Sequence, residues 1–463
     1  MYRGDVYNGP EFESGSPQSG VKSGLVAVLA SHWEVAAYTL LILVALMMRL
    51  WDLGSRAFGY DESLHGYYSF RLSEGLGFQH SPLMHGPFQF HGLAAMFFLF
   101  GDSDYTARLL PALFGTALVG LPYFLRHRLG SVGAVIVAAM LAFSPMMLFY
   151  SRYARNDIYM AVWTLALVIL LWRYLDEGRP RYLYLGALVL ALAFATKETT
   201  FIAVAILGGY LVIVAAPDWI PWLLRKPSLD SPEPIHLGGT SPVEPTQGAF
   251  SSIVDPSQEY RFWPGYGYAY GRPKTPPRLS QFSRAGAFLV VLATLAVPQA
   301  SALVSIIQDR LRDAGIILAA KGSPVGAPSG DVLFTIQDVD VTKGMAIAAM
   351  VVFVALWFSV LVGTGWNRGV WLRSAAIFYG VWMALYTTFF TNMVGVGSGM
   401  WQSLGYWIVQ QEERRGGQPW YDYFVVAPIY ETLPFLFSIA AVVYYVLRGD
   451  RFTRFLAYWV VLT

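Results

Sequence analysis

Eleven apolar runs recur along this chain, separated mostly by short polar connections. A run of about 20 apolar residues matches the ~30 Å core of a bilayer, and a helix is the open-chain structure that satisfies its own backbone there. The runs lie near residues 34–52, 106–125, 131–149, 158–175, 182–196, 199–216, 285–307, 344–363, 374–391 and 424–447, with a last one starting at 454. The fold class read from them is an all-α polytopic membrane protein with about 11 transmembrane helices. Charged residues make up 13% of the chain, against about a quarter in soluble domains. The net charge of +2 provides no field for a nucleic acid. With no cysteine, disulfides, thiolate metal sites and a cysteine nucleophile are excluded.

One further apolar run, Phe88–Phe100, is too short to span and is read as an interfacial helix. That choice fixes the topology. With a cytoplasmic N-terminus, Arg126-His127-Arg128, Arg179-Pro180-Arg181, Arg225-Lys226, Arg368 to Arg373 and Arg448 to Arg454 all fall inside, as the positive-inside rule requires. If Phe88–Phe100 spanned, every one would fall outside. The expected location is a plasma membrane, crossed many times, with the active site extracytoplasmic.

The domains follow. Residues 1–33 form a disordered cytoplasmic tail without the signature of a cleaved signal peptide. Residues 34–216 form a core with a large first outer loop, 53–105, carrying interfacial helices. Residues 217–284, dense in Pro, Ser and Gly, form a cytoplasmic insert. Residues 285–463 supply the C-terminal helices, with outer loops at 308–343, read as a small hairpin, and at 392–423. The apolar run from Phe455 is cut by the chain's end, so further spans are expected beyond Thr463.

Charge gathers on the outer connections. Asp61-Glu62 follows the first span, and acids beside hydrocarbon carry a functional expectation. A lone helix-capping acid is the plainer alternative. Carboxylates there serve as a general base toward a hydroxyl or as ligands for a divalent cation, Mg or Mn; Asp61 and Asp157 would hold such an ion. In the second outer loop, Arg152 and Arg155 beside Asp157 suit an anionic group, since guanidinium binds phosphate bidentately. Lys197-Glu198 occupies a tight turn between two spans, where a lysine also snorkels. The intervals among His65, His80, His85 and His91 fit no zinc template, so these histidines are assigned to hydrogen bonding. His80 to Pro87 is placed along a substrate cleft. Arg414 and Arg415, amid Trp401, Trp407, Trp420 and Tyr421, suit a lipid that carries phosphate.

These motifs, in this order, resemble the GT-C superfamily of membrane glycosyltransferases, especially protein O-mannosyltransferases and the lipid A aminoarabinose transferase. The resemblance runs over roughly residues 34–215. It includes the acidic motif after the first span, Gly101-Asp102-Ser103-Asp104 through Arg108 to Leu113, Phe143-Ser144-Pro145, Tyr150-Ser151-Arg152, Asp157 and Thr196-Lys197-Glu198. The stretch from Tyr406-Trp407 to Tyr421, with Glu431, looks like a flippase-associated subgroup linked to archaeal N-glycosylation. The resemblance implies a GT-C-type bundle and a polyprenyl-phosphate-linked sugar as donor. A hydroxyl of a lipid, glycan or protein acceptor would attack the anomeric carbon, with inversion. Asp61 would be the base, with Glu62 assisting it or binding acceptor or metal, and Asp157 would be the second-loop acid. Arg152, Arg155 and Lys197, with Arg414 and Arg415, would hold the phosphate. His65, His80, His85, Glu198 and Tyr421 would line the cleft. The proline-rich insert departs from the common core. A rival reading is a non-catalytic flippase or transport component for lipid-linked sugars. It calls for repeated halves and mid-membrane charges, and the sequence has neither.

Overall fold

The computed structural model describes residues 32–224, 279–322, 324–336, 339–411, 419 and 421–463. The first 31 residues of the tail and residues 225–278 of the insert lie outside that set, as do Arg414 and Arg415. Helices α1 (Trp33–Leu50), α2 (Tyr60–Ser73), α3 (Phe88–Phe100), α4 (Asp104–Gly120), α5 (Ser131–Phe143), α6 (Pro145–Ser151), α7 (Asp157–Glu177), α8 (Arg181–Phe194) and α9 (Thr199–Val214) form the first half. After α10 (Arg284–Ala296) come two short antiparallel ladders, β1 (Ile316–Ile317) with β2 (Ser329–Gly330) and β3 (Val332–Ile336) with β4 (Val339–Thr342). The chain continues through α11 (Lys343–Tyr386), α12 (Ser403–Gln410), α13 (Asp422–Tyr430), α14 (Thr432–Arg448) and α15 (Arg451–Leu462).

Local sequence explains the helix ends. Ser103 caps α4 by accepting from the Thr106 N–H, and Ser144, followed by Pro145, caps α6 by accepting from Met147. Gly178 ends α7 in the left-handed conformation that glycine adopts without penalty. The core lies where α7 meets α8, α10, α11 and α15. Trp172 of α7 is buried there, edge-on to Phe452 of α15 at 5.0 Å between ring centres. Alanines 187, 191 and 287 let these helices approach closely.

About 11 transmembrane helices were expected, and several of the helices are broken by bends. Among the described residues, four helices are long and apolar enough to cross a membrane unaided, and up to eight if each bent pair counts as one span. Four pairs are bent, at Ser144, Ala215, 297–300 and Glu431, by 58°, 75°, 57° and 111°. Helix α8 has 14 residues and α15 has 12. The runs at 344–363 and 374–391 share the continuous α11, interrupted at Asn367 (φ −153°, ψ 97°). Asn367 Oδ1 accepts from the Val370 N–H, so the second part starts with its own cap. Phe88–Phe100 is a helix of 13 residues, short of a span.

The break at Ser144-Pro145 explains a charge inside the first span. Proline has no N–H to offer the carbonyl of Leu141, four residues earlier. Arg49 of α1, fully buried, donates to the carbonyls of Leu141, Ala142 and Ala45, and its Nε to Ser151 Oγ at 3.1 Å.

Helix α7 measures the bundle. Its 21 residues run about 30 Å at 1.5 Å per residue. At the Asp157 end it meets the first loop and Lys197. At the other end Asp176 pairs with Arg128, Glu177 pairs with Arg173, Arg179 and Arg181, and Arg284 donates to the carbonyls of Leu175 and Asp176. Three basic connections thus share the end opposite Asp61.

Candidate functional site

The site is built on three connections at one end of the bundle. The first is the turn into α2, where Gly59 precedes Tyr60-Asp61-Glu62. Glu62 reaches back to the Gly59 N–H at 3.1 Å, which closes the first turn and leaves Asp61 on the outer side. The second is the segment 152–156 between α6 and α7. The third is the turn Thr196-Lys197-Glu198 between α8 and α9.

Four of the residues singled out from sequence form one continuous chain. Asp61 Oδ2 is 2.8 Å from Arg155 Nη1, and Arg155 Nε is 3.5 Å from Asp157 Oδ2. Asp157 Oδ1 is 2.6 Å from Lys197 Nζ. Two carboxylates and two cations from three connections therefore alternate along one line. Asp61 and Arg155 remain about a third exposed, at 37% and 34%, so solvent reaches them.

Glu62 is differently placed. It is fully buried and accepts from five donors. Arg108 gives Nε at 2.7 Å and Nη2 at 2.9 Å, Arg56 gives Nη2 at 3.3 Å, and the backbone N–H groups of Gly59 and Ala154 complete the set. A carboxylate has about four lone-pair positions, so none is left for substrate or metal. Burial pushes the Glu62 carboxyl up. The Arg108 side chain and the two backbone N–H groups pull it down further, and the outcome lies below the ordinary carboxylate range. Ala154 is held from both sides, because its carbonyl accepts from Gln89 Nε2 of α3 at 2.6 Å. Glu62 therefore fixes the segment that carries Arg155 and Asp157.

Arg152 points elsewhere. Its guanidinium donates to the carbonyls of Met48 and Asp52 at 3.1 and 3.2 Å, capping the end of α1 rather than joining the acidic line. The two arginines of the Arg152–Arg155 pair thus divide between a helix end and the site. Tyr421 stands half-exposed at the start of α13.

The histidines form a second layer. His85 Nδ1 lies 2.7 Å from Glu198 Oε2, and its ring stacks on the Trp407 indole, 4° from parallel with centres 5.7 Å apart. His80 is buried; its Nε2–H donates to the His85 carbonyl at 3.1 Å and its Nδ1 faces Ser398 Oγ at 2.8 Å. Burial pushes the His80 imidazole down to about 3, so it is neutral. His65 donates from Nδ1 to the Asp61 carbonyl at 2.7 Å, and burial pushes it down as well. The first loop is joined to the third connection through its backbone. The Gly86 N–H donates to Thr196 O at 3.1 Å and the Phe88 N–H to Ala195 O at 2.8 Å. A Cβ on Gly86 would collide with the Ala195 carbonyl, so only glycine fits this approach.

A divalent cation finds no home on Asp61 and Asp157. The Arg155 guanidinium lies between them, and Lys197 takes the other Asp157 oxygen. Among the described residues no three His, Asp or Glu side chains gather as a metal site.

Sequence reasoning gave Arg108 no role and missed Gln89 and the contact of Glu431 with Ser144 Oγ and the Met146 N–H. For Arg108 a signal existed, because an arginine four residues into an apolar helix needs a buried partner.

Residues 84–226, 143 of the 463, match the family model of dolichyl-phosphate-mannose-protein mannosyltransferases. The matched part contains His85, Arg152, Arg155, Asp157, Lys197 and Glu198; Asp61 and Glu62 precede it. The match supports the GT-C superfamily and a membrane glycosyltransferase of the mannosyltransferase type. No curated protein and no solved structure matches the chain.

Proposed function

We propose that this protein is an integral-membrane glycosyltransferase that moves a sugar from a polyprenyl-phosphate donor to an acceptor hydroxyl at the extracytoplasmic face, with inversion at the anomeric carbon. The observation that carries the reading is the line Asp61–Arg155–Asp157–Lys197. It sets the accessible Asp61 carboxylate beside Arg155, and Asp157 between Arg155 and Lys197, at the end of apolar helices. In this reading the acceptor hydroxyl gives its proton to Asp61 as its oxygen attacks the anomeric carbon. The bond from that carbon to the phosphate oxygen breaks, and the electron pair leaves on polyprenyl phosphate. Arg155 and Lys197 meet the charge that grows there, and Asp157 keeps both cations oriented. Glu62 and Arg108 act through position, by holding the Arg155 segment against Asp61. No metal is needed for any step.

The test is reconstitution with a radiolabelled polyprenyl-phosphate hexose, comparing wild type with Asp61→Asn. The variant is expected to bind the lipid and lose transfer. Equal turnover in both proteins rejects Asp61 as base. Movement of the lipid across the bilayer without transfer turns the reading toward transport.

A further inference from the structure

Arg56 takes no part in the chemistry above, yet it stands at the same site. Its Nη2 donates to the buried Glu62 at 3.3 Å, and its Cζ lies 5.3 Å from the ring centre of Tyr153 and 5.7 Å from that of Phe149. Those two rings stack on each other, 23° from parallel with centres 5.5 Å apart. Phe149 is half-exposed, and so is the Arg56 side chain, at 52%.

This group is tied to Asp61 from two sides. The Tyr153 hydroxyl lies against Gly59, where a Cβ would stand 3.0 Å from it, and Gly59 opens the turn that carries Asp61. The Tyr153 carbonyl accepts from the Arg155 N–H at 2.7 Å, and Arg155 pairs with Asp61. Burial, then the charges of Asp61 and Glu62, push the Tyr153 phenol up, so it stays neutral.

Order along the chain sets the direction. From α6 into α7 come Phe149, Tyr153, Arg155 and Asp157, and Lys197 extends the line through Asp157. Asp61 meets this line at Arg155. The phosphate clamp thus occupies one flank of the base, and the Arg56 group the other. An inverting displacement brings acceptor and leaving phosphate to opposite faces of the anomeric carbon. The flank away from the clamp is therefore the acceptor's.

Charge indicates what the acceptor carries. Asp61 and Asp157 balance Arg155 and Lys197, while Glu62 faces both Arg108 and Arg56. One positive charge in these ion pairs is in excess. Of the two guanidiniums on Glu62, Arg56 is the exposed one, and its Nε and Nη1 make no hydrogen bond among the described residues. A guanidinium pairs with carboxylate or phosphate, and stacked rings offer a flat apolar surface to the C–H face of a sugar. An interfacial aromatic belt accounts for Phe149 alone; it does not account for uncommitted N–H groups held over two rings beside a base.

We propose that Arg56, Tyr153 and Phe149 form the acceptor subsite, and that the acceptor is a sugar bearing an anionic group, carboxylate or phosphate, which Arg56 pairs while Asp61 takes the proton of a hydroxyl. This rests on the transfer reaction proposed above.

The experiment measures binding of methyl glucoside, methyl glucuronide and methyl glucoside 6-phosphate by calorimetry, with the full chain in phosphatidylcholine nanodiscs. The proteins are wild type, Arg56→Gln, Arg56→Lys and Phe149→Ala. Wild type is expected to bind an anionic sugar about tenfold tighter than methyl glucoside, as one hydrogen bond to a charged group provides, and the tighter of the two anions names the group. Arg56→Gln loses that preference, Arg56→Lys keeps part of it, and Phe149→Ala weakens all three sugars alike. Glu62 retains Arg108 and two backbone donors in Arg56→Gln, and the wild-type preference is read without any variant. Equal binding of the three sugars by wild type, or binding of none, overturns the assignment and returns Arg56 to an interfacial anchor. A preference that survives Arg56→Gln overturns it as well. Turnover is not needed for this readout. Failure of labelled transfer with the anionic preference intact therefore rejects the transfer reaction and leaves the sugar subsite standing.

Discussion

Arg155 Nη1 lies 2.8 Å from Asp61 Oδ2, so a side chain two residues before one acid holds the other, 94 positions away. The pair is about a third exposed on each side, and ion pairs in such settings contribute about 0–1 kcal/mol to stability. Its importance is therefore expected in activity. Lysine keeps the charge but offers one ammonium where the guanidinium serves two carboxylates. Arg155→Lys is expected to lower kcat/KM by about 10–100-fold, or about 1.4–2.7 kcal/mol, with the thermal transition moved by no more than about 2 °C. A fall in melting temperature that accounts for the lost activity would make Arg155 structural.

Glu62 and Arg108 should behave in the opposite way. Both are fully buried, and removing one partner leaves the other charged without compensation, which costs about 3–5 kcal/mol. Arg108→Met is expected to lower the thermal transition in detergent far more than Arg155→Lys does.

Acid gives the same contact a signature. The Glu62 carboxyl is depressed in the folded protein, so its stabilisation is complete above the ordinary value of 4.5 and is lost as pH falls through the lower folded value. Wild type should lose stability over that acid window. Glu62→Gln, unstable throughout, should lack that part of the slope, as melting temperatures measured across the acid range will show.

Much of this site was legible before the fold was. Asp61, Arg155, Asp157 and Lys197 stood beside separate apolar runs, and the order of those runs already brought them to one end. Which arginine turned inward was not legible. Arg152 and Arg155 differ by three positions in a non-helical segment, where no periodicity relates residue spacing to direction. The two roles of Asp61 and Glu62 were hidden for another reason. Adjacent helical residues point about 100° apart, and the partner that took Glu62, Arg108, is 46 residues away. The bends at Ser144-Pro145, at Ala215 before Pro217 and at Pro298 were not legible in the apolar runs, because hydropathy averages across a bend. Glu431 was noted as part of a motif, while its partner Ser144 lies 287 residues earlier, at another break.

Gly86 tests the join between the first loop and the turn at 195–198. Alanine there would place its Cβ against the Ala195 carbonyl, a backbone atom held by its own helix. Gly86→Ala is expected to cost about 1–3 kcal/mol through overpacking and to reduce transfer, since His85 and Lys197 separate together. Wild-type turnover in this variant, measured by the same labelled-donor assay, would show that the two connections move independently of catalysis.

The orientation of the whole arrangement can be read with thiol chemistry, because the chain has no cysteine of its own. Glu74, exposed just after α2, belongs to the Asp61 end, and Arg179, exposed just after α7, belongs to the opposite one. About 30 Å of α7 separates these ends, the thickness of a bilayer core. Glu74→Cys is expected to react with a membrane-impermeant maleimide on intact cells, and Arg179→Cys only after permeabilisation. The reverse pattern would put Asp61 on the cytoplasmic face, where an acceptor outside the cell could not reach it. Labelling of both on intact cells would mean that α7 does not cross the membrane, and the basic connections at its Glu177 end would then need a different explanation.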